Sequence, residues 1–107
     1  MEQKNYVQRL LEISSANIDK IRNVDLKMDY TPIEGFPKRH PFSDNILILV
    51  ENPFEENKSF LEFYLDTITS VEEIGNITSE NNQSAYKIRI WVKKGTVAVK
   101  SETFVIE

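Results

Sequence analysis

Cysteine is absent from the 107-residue chain. Its absence excludes a disulfide scaffold, a thiol nucleophile and a thiolate metal site, and it agrees with a reducing compartment. Glycine is nearly as scarce. Gly35, Gly75 and Gly95 stand far apart, whereas a phosphate-cradling loop needs glycines close together. The single histidine, His40, rules out a conventional multi-histidine zinc site. No EF-hand pattern, zinc-finger spacing or nucleophile elbow occurs. Long apolar runs are missing as well. The longest aliphatic segment, Ile46–Val50, falls far short of the roughly 20 residues of a membrane-spanning helix, so no membrane insertion is expected. The opening MEQKNYVQRLL lacks a basic start leading into an apolar stretch and does not read as a secretory leader. A cytoplasmic location is the resulting expectation.

What remains is the composition of a small globular protein, 40% hydrophobic and 28% charged, well away from the disordered class. The length suits one domain over residues 1–107. The net charge of −4 disfavours a non-specific grip on nucleic acid, but its distribution is uneven. Between Glu51 and Glu80 there are eight acidic residues and one lysine, Lys58; from Lys87 to Lys100 there are five basic residues and no acid. A folded domain with this sequence can present two poles.

Hydrophobic spacing predicts a helix over Asn5–Arg22, with Val7, Leu10, Leu11, Ile18 and Ile21 on one stripe. Ser14-Ser15 is its weak point, where a serine would cap a second helix if the segment divides. Val24–Tyr30 alternates like a half-buried strand. Thr31–Asp44 contains Pro32, Pro37 and Pro41 besides Gly35 and reads as a long loop or flap. Asn45–Glu51 reads as a strand covered on both faces, and Ser59–Asp66 as another. Thr67–Thr78 favours an irregular strand, with its β-branched residues and Gly75. Ala85–Lys93 is the clearest strand; Lys94-Gly95 turns the chain, and Thr96–Ile106 returns as the last strand. The expected fold is therefore α+β: an N-terminal helix packed on a twisted antiparallel sheet, or partly open β-roll, of five to six strands.

The stretch YKIRIWVKKGTVAVK, Tyr86–Lys100, carries the main functional signal. Period two sends Tyr86, Ile88, Ile90 and Val92 to one face and Lys87, Arg89, Trp91 and Lys93 to the other. On the returning strand Val97, Val99 and Phe104 are expected inward, and Ala98 and Lys100 outward. Lys87, Arg89, Trp91, Lys93 and Lys100 thus form a candidate interaction surface, an indole platform among cations. A solvated face with cations lying over the indole has the same pattern, as does an indole covered by the Thr31–Asp44 segment. Trp91→Ala is expected to cost little fold stability.

Other chemistry is thin. His40, in KRHPFSD, lacks an evident orienting partner for general-base work. Glu55-Glu56 and Glu72-Glu73 are adjacent pairs, which point to opposite faces of a strand and so form no acid–base dyad. Asp66 closes an apolar strand without further ligands around it. No catalytic, cofactor-binding or metal-ligating residue is assigned.

The segments LDTITSVEEIGNIT, Leu65–Thr78, and YKIRIWVKKGTVAVK resemble the middle of bacterial pleckstrin-homology-like domains over about a third of the chain. The resemblance implies a bent antiparallel sheet and a binding or assembly role. Those domains usually end in a capping helix, whereas the predicted helix here comes first. The function expected is a non-enzymatic protein-interaction or assembly module, working through the face around Trp91 or a sheet edge, with a protein partner or a second copy. The alternatives are a binder of an anionic ligand or nucleic acid on the basic face, and a small enzyme closing a proline-rich flap over carboxylates.

Overall fold

The computed structural model describes residues 26–56 and 58–107. They form one seven-stranded antiparallel sheet in the order β4-β5-β1-β2-β3-β6-β7. The strands are β1 (Tyr30–Arg39), β2 (Ile46–Val50), β3 (Phe60–Tyr64), β4 (Ile68–Thr78), β5 (Ser84–Lys93), β6 (Val97–Lys100) and β7 (Glu102–Val105). Among the described residues, helix is limited to one turn at Leu26–Asp29 and a 3-10 turn at Leu65–Thr67. The expectation of an α+β fold with five to six strands is thereby corrected to a predominantly β architecture. The predicted helix over Asn5–Arg22 lies outside the described residues.

Two local expectations fail for identifiable reasons. The strand expected over Val24–Tyr30 is corrected within the described residues: Leu26–Asp29 is a helical turn, and Met28 is 72% exposed. The proline-rich stretch read as a loop is mostly β1, which joins the two halves of the sheet. Its first half, Tyr30–Gly35, pairs with β5, and its second half, Phe36–Arg39, pairs with β2. The Lys94 N–H donates to the Asp29 C=O. Alternation from that bond leaves Pro32 with its nitrogen turned away from β5. On the other half, the Leu65 N–H to Asn45 C=O and Glu51 N–H to Ser59 C=O bonds give the odd residues of β2 to β3. Pro37, opposite Leu49, then also sits where the ladder needs no donor. Proline is excluded from a central strand only where its N–H is used.

β1 passes from one half of the sheet to the other at Gly35. A Cβ there would lie 3.1 Å from Leu49 Cβ and 3.2 Å from the Val50 carbonyl oxygen, so the close approach of β1 to β2 favours glycine. Two bulges, at Ile68/Ser70 and Glu73/Gly75, bend β4 against β5. The sheet therefore folds across itself. Its inner faces enclose Leu47, Leu49, Phe63, Ile68, Val71, Ile88, Ile90, Val92, Ala98 and Ile106. The second face of β2 is also covered, with Ile48 and Val50 packed around Phe36; Phe54 meets the Phe36 ring edge-on at 6.2 Å. The continuous aliphatic run of β2 is explained by burial on both sides.

β6 runs out of phase with its expected alternation. Ala98 is 0% exposed whereas Val97 is 40% exposed. The cause is the pairing of Ala98 with fully buried Phe63, which sets Ala98 on the same inner face as the phenyl ring. The last strand is also two strands. The chain reverses around Ser101, which adopts φ 59°, and β7 folds back on β6.

Candidate functional site

β5 presents Lys87, Arg89, Trp91 and Lys93 on the outer face, while Ile88, Ile90 and Val92 are buried beneath them. The neighbouring strands answer the charge. Across the ladder from Arg89 lie Glu34 on β1 and Glu72 on β4. Arg89 Nε and Nη2 both donate to Glu34 Oε2, at 3.0 and 2.7 Å. Lys87 Nζ is 3.5 Å from Glu34 Oε1, and Arg89 Nη1 is 3.7 Å from Glu72 Oε2. Trp91 is more than half buried, and its Nε1–H donates to Glu72 Oε1. The Arg89 hydrogen bonds hold the Glu34 carboxyl below its ordinary range, and the same bonds push the guanidinium up.

Lys100 does not join this group. It lies on β6, separated from β5 by β1, β2 and β3, and its Nζ sits 2.8 Å from Glu51 Oε1. Hydrogen bonds from Lys100 and from Ser59 lower the Glu51 carboxyl. Lys93, the remaining member, is exposed at the end of β5. The five-residue surface read from the sequence is thus a four-residue row on β5, with two of its cations matched to carboxylates, and a separate ion pair.

His40 and Asp44 are also accounted for. His40 Nδ1 accepts the backbone N–H groups of Phe42 and Ser43, at 3.1 and 3.0 Å. Its Nε2 lies 3.2 Å from Glu62 Oε1, so the ring ties the β1–β2 loop to β3. Arg39 clamps the same loop through Asp44, at 3.0 Å. These contacts, and the strand character of residues 30–39, make the Thr31–Asp44 segment a strand followed by a pinned loop instead of a flap. Among the described residues no group of three or more His, Cys, Asp or Glu could hold a metal ion.

A different surface escaped the sequence reading. In β3, Phe60, Glu62 and Tyr64 share the face opposite buried Phe63, and Val99 pairs with Glu62 on that face. Val97, with its partner Val105, continues it onto β6 and β7. Phe60, Tyr64, Val97 and Val105 are all exposed large hydrophobics. Phe42, 92% exposed, stands beside them through its edge-on contact with His40, which reaches Glu62. The alternation of β3 contained half of this signal, since it put two aromatics on the side away from Leu61 and Phe63. The other half depended on the phase of β6, which only the pairing with Phe63 fixes.

Comparison of the chain with protein-family models, with curated proteins and with solved structures gives no match. The likeness of Leu65–Lys100 to pleckstrin-homology-like domains rests on residue spacing alone. Among the described residues, no helix is long and apolar enough to cross a membrane.

Proposed function

We propose that the chain is a non-enzymatic interaction module that contacts another protein through the outer face of β3, β6 and β7. One observation carries this reading: Phe60, Tyr64, Val97 and Val105 lie exposed on contiguous strands of one face, with Phe42 presented beside them on a loop pinned by His40. Scattered exposed apolar residues need no explanation, but a contiguous group of aromatic and branched side chains marks an interaction surface. The face around Trp91 supports a protein contact better than a phosphate or nucleic acid. The Arg89 fork, which would grip an anion in two-pronged fashion, is already engaged by Glu34.

The test is affinity capture from the cell of origin, with the wild-type chain beside a Phe60→Ser/Tyr64→Ser variant and an Arg89→Gln variant. The reading expects a protein partner that the first variant loses, that the second retains, and that stays bound at high salt. Loss of the partner only in Arg89→Gln, with steep salt dependence, would overturn it in favour of the anionic-ligand alternative.

A further inference from the structure

The two edges of the sheet are built differently. β4 carries two bulges and Gly75 at φ 122°, devices that blunt an edge against pairing. β7 has none of them. It contains Glu102, Thr103, Phe104 and Val105, pairs with β6 without a register shift, and is exposed along its whole length. Among the described residues no strand pairs with its outer side; just beyond its end, the Thr31 hydroxyl donates to the Glu107 C=O. The Ile106 N–H donates to the Thr96 C=O. Alternation from that bond directs the backbone of Phe104 toward β6 and turns the N–H and C=O groups of Thr103 and Val105 outward.

We propose that β7 pairs antiparallel with β7 of a second copy of this chain, about a two-fold axis through Phe104. This inference rests on the reading of the chain as an interaction module and adds to it a second contact, between copies of the chain, at the sheet edge. In this register Thr103 of one copy faces Val105 of the other, and every outward N–H and C=O of the two residues finds its complement. Phe104 meets Phe104 of the second copy as a close, non-hydrogen-bonded pair. Val105, 55% exposed in the single chain, is then covered on the outer side by Thr103 of the second copy.

Charge favours the same arrangement. Glu102 of one copy falls opposite Ile106 of the other. Ile106 accepts the Gly95 N–H on its far side, so the carboxylate arrives about two strand spacings, ~10 Å, from the Lys93–Gly95 turn. The acidic start of each β7 thus lies toward the basic turn of its neighbour, and the pairing is isologous, as a closed dimer requires. A partner strand of unrelated sequence would match the backbone but not this reciprocal charge.

Light scattering on the purified chain reads the outcome directly. The wild type is expected at twice the 12.5 kDa of one chain. Thr103→Pro removes a donor that only the second copy uses, so it is expected to give a single-chain mass with an unchanged circular-dichroism spectrum. Because the native chain has no cysteine, Phe104→Cys supplies an independent readout. It is expected to form a disulfide-linked dimer on mild oxidation, while Glu102→Cys is not. A wild-type chain that stays at single-chain mass up to roughly a hundred times a micromolar affinity overturns the proposal. So does a dimer that persists in Thr103→Pro with no cross-link at position 104. A monomeric chain that still captures a partner through Phe60 and Tyr64 would end this inference and leave the proposed function standing.

Discussion

Arg89 on β5 and Glu34 on β1 face each other across the ladder, and two guanidinium nitrogens converge on one carboxylate oxygen. The pair is half exposed, so its contribution to stability is modest and screened by salt. Its pH dependence has a definite sign. The folded Glu34 carboxyl lies below its ordinary value of 4.5, so its contribution is present above that value and is lost as pH falls through the folded one. Glu51, lowered by Lys100, acts in the same window. Urea unfolding followed from about pH 6 to pH 3 should show stability falling with acid. The fall should be shallower in Glu34→Gln and shallowest in Glu34→Gln/Glu51→Gln. Parallel curves for all three proteins would show that neither ion pair survives in solution.

How much of this was legible in the sequence follows from which interactions are local. β5 was read from Ala85–Lys93 because three buried branched residues alternate with polar ones over its length, and period two is a property of a single strand. β2 showed burial on both faces for the same local reason. The phase of β6 was not legible. Ala98 and Val97 are both apolar, and the choice between them is made by Phe63, 35 residues earlier in the chain (98 − 63). The neutralisation of the β5 row is not legible for a related reason. Its cations are contiguous in sequence, whereas Glu34 and Glu72 arrive on other strands. β1 is not legible because proline argues against a central strand unless the hydrogen-bond phase is known, and that phase is set by the neighbouring strands.

The inward position of Ala98 makes a sharp contrast with its neighbour. Ala98→Lys places a charge against Phe63 in the closed core, where an unpaired ammonium is strongly disfavoured; it should abolish cooperative unfolding or leave the chain insoluble. Val97→Lys, on the exposed side, should fold with stability within about 1 kcal/mol of wild type. Thermal unfolding of the two variants measures this. The reverse order of tolerance would restore the outward alternation read from the sequence.

Gly35→Ala tests the crossing of β1 from β5 to β2. The added methyl meets Leu49 Cβ at 3.1 Å and a carbonyl oxygen of β2 at 3.2 Å. Neither neighbour is the end of a flexible side chain, so the strands must part. Overpacking of this kind costs about 1–3 kcal/mol, seen as a lower urea midpoint with an unchanged m-value. A neutral or stabilising result would mean that β1 and β2 separate there without loss.

Trp91 and Glu72 form the other cross-strand bond of the β5 row. Trp91→Phe keeps the ring over the sheet and removes the N–H donor, which should cost about 1 kcal/mol. Trp91→Ala also loses the half-buried ring and should cost more, in contrast to the small effect expected from the sequence alone. A double-mutant cycle with Glu72→Ala, followed by circular dichroism because the chain's one tryptophan is removed, isolates the bond. A coupling energy indistinguishable from zero would reduce the Trp91–Glu72 contact to simple proximity.

Tyr86 gives a late titration step that can be measured. Burial pushes its phenol up to about 12, with a further upward push from its hydrogen bond to Glu73 and from the charge of that carboxylate. In a spectrophotometric titration of the four tyrosines, one step should appear near 12 while the protein remains folded. The unfolded phenol titrates near its ordinary value of 10.0, so the folded chain binds the proton more tightly. The stability linked to Tyr86 is therefore complete below pH 10 and is lost as pH rises toward 12. Glu73→Gln should bring the late step down without returning it to 10, because burial is the larger cause. A single tyrosine step near 10 in the folded wild-type chain would show that the Tyr86 hydroxyl is solvated and that β4 and β5 do not hold it as described.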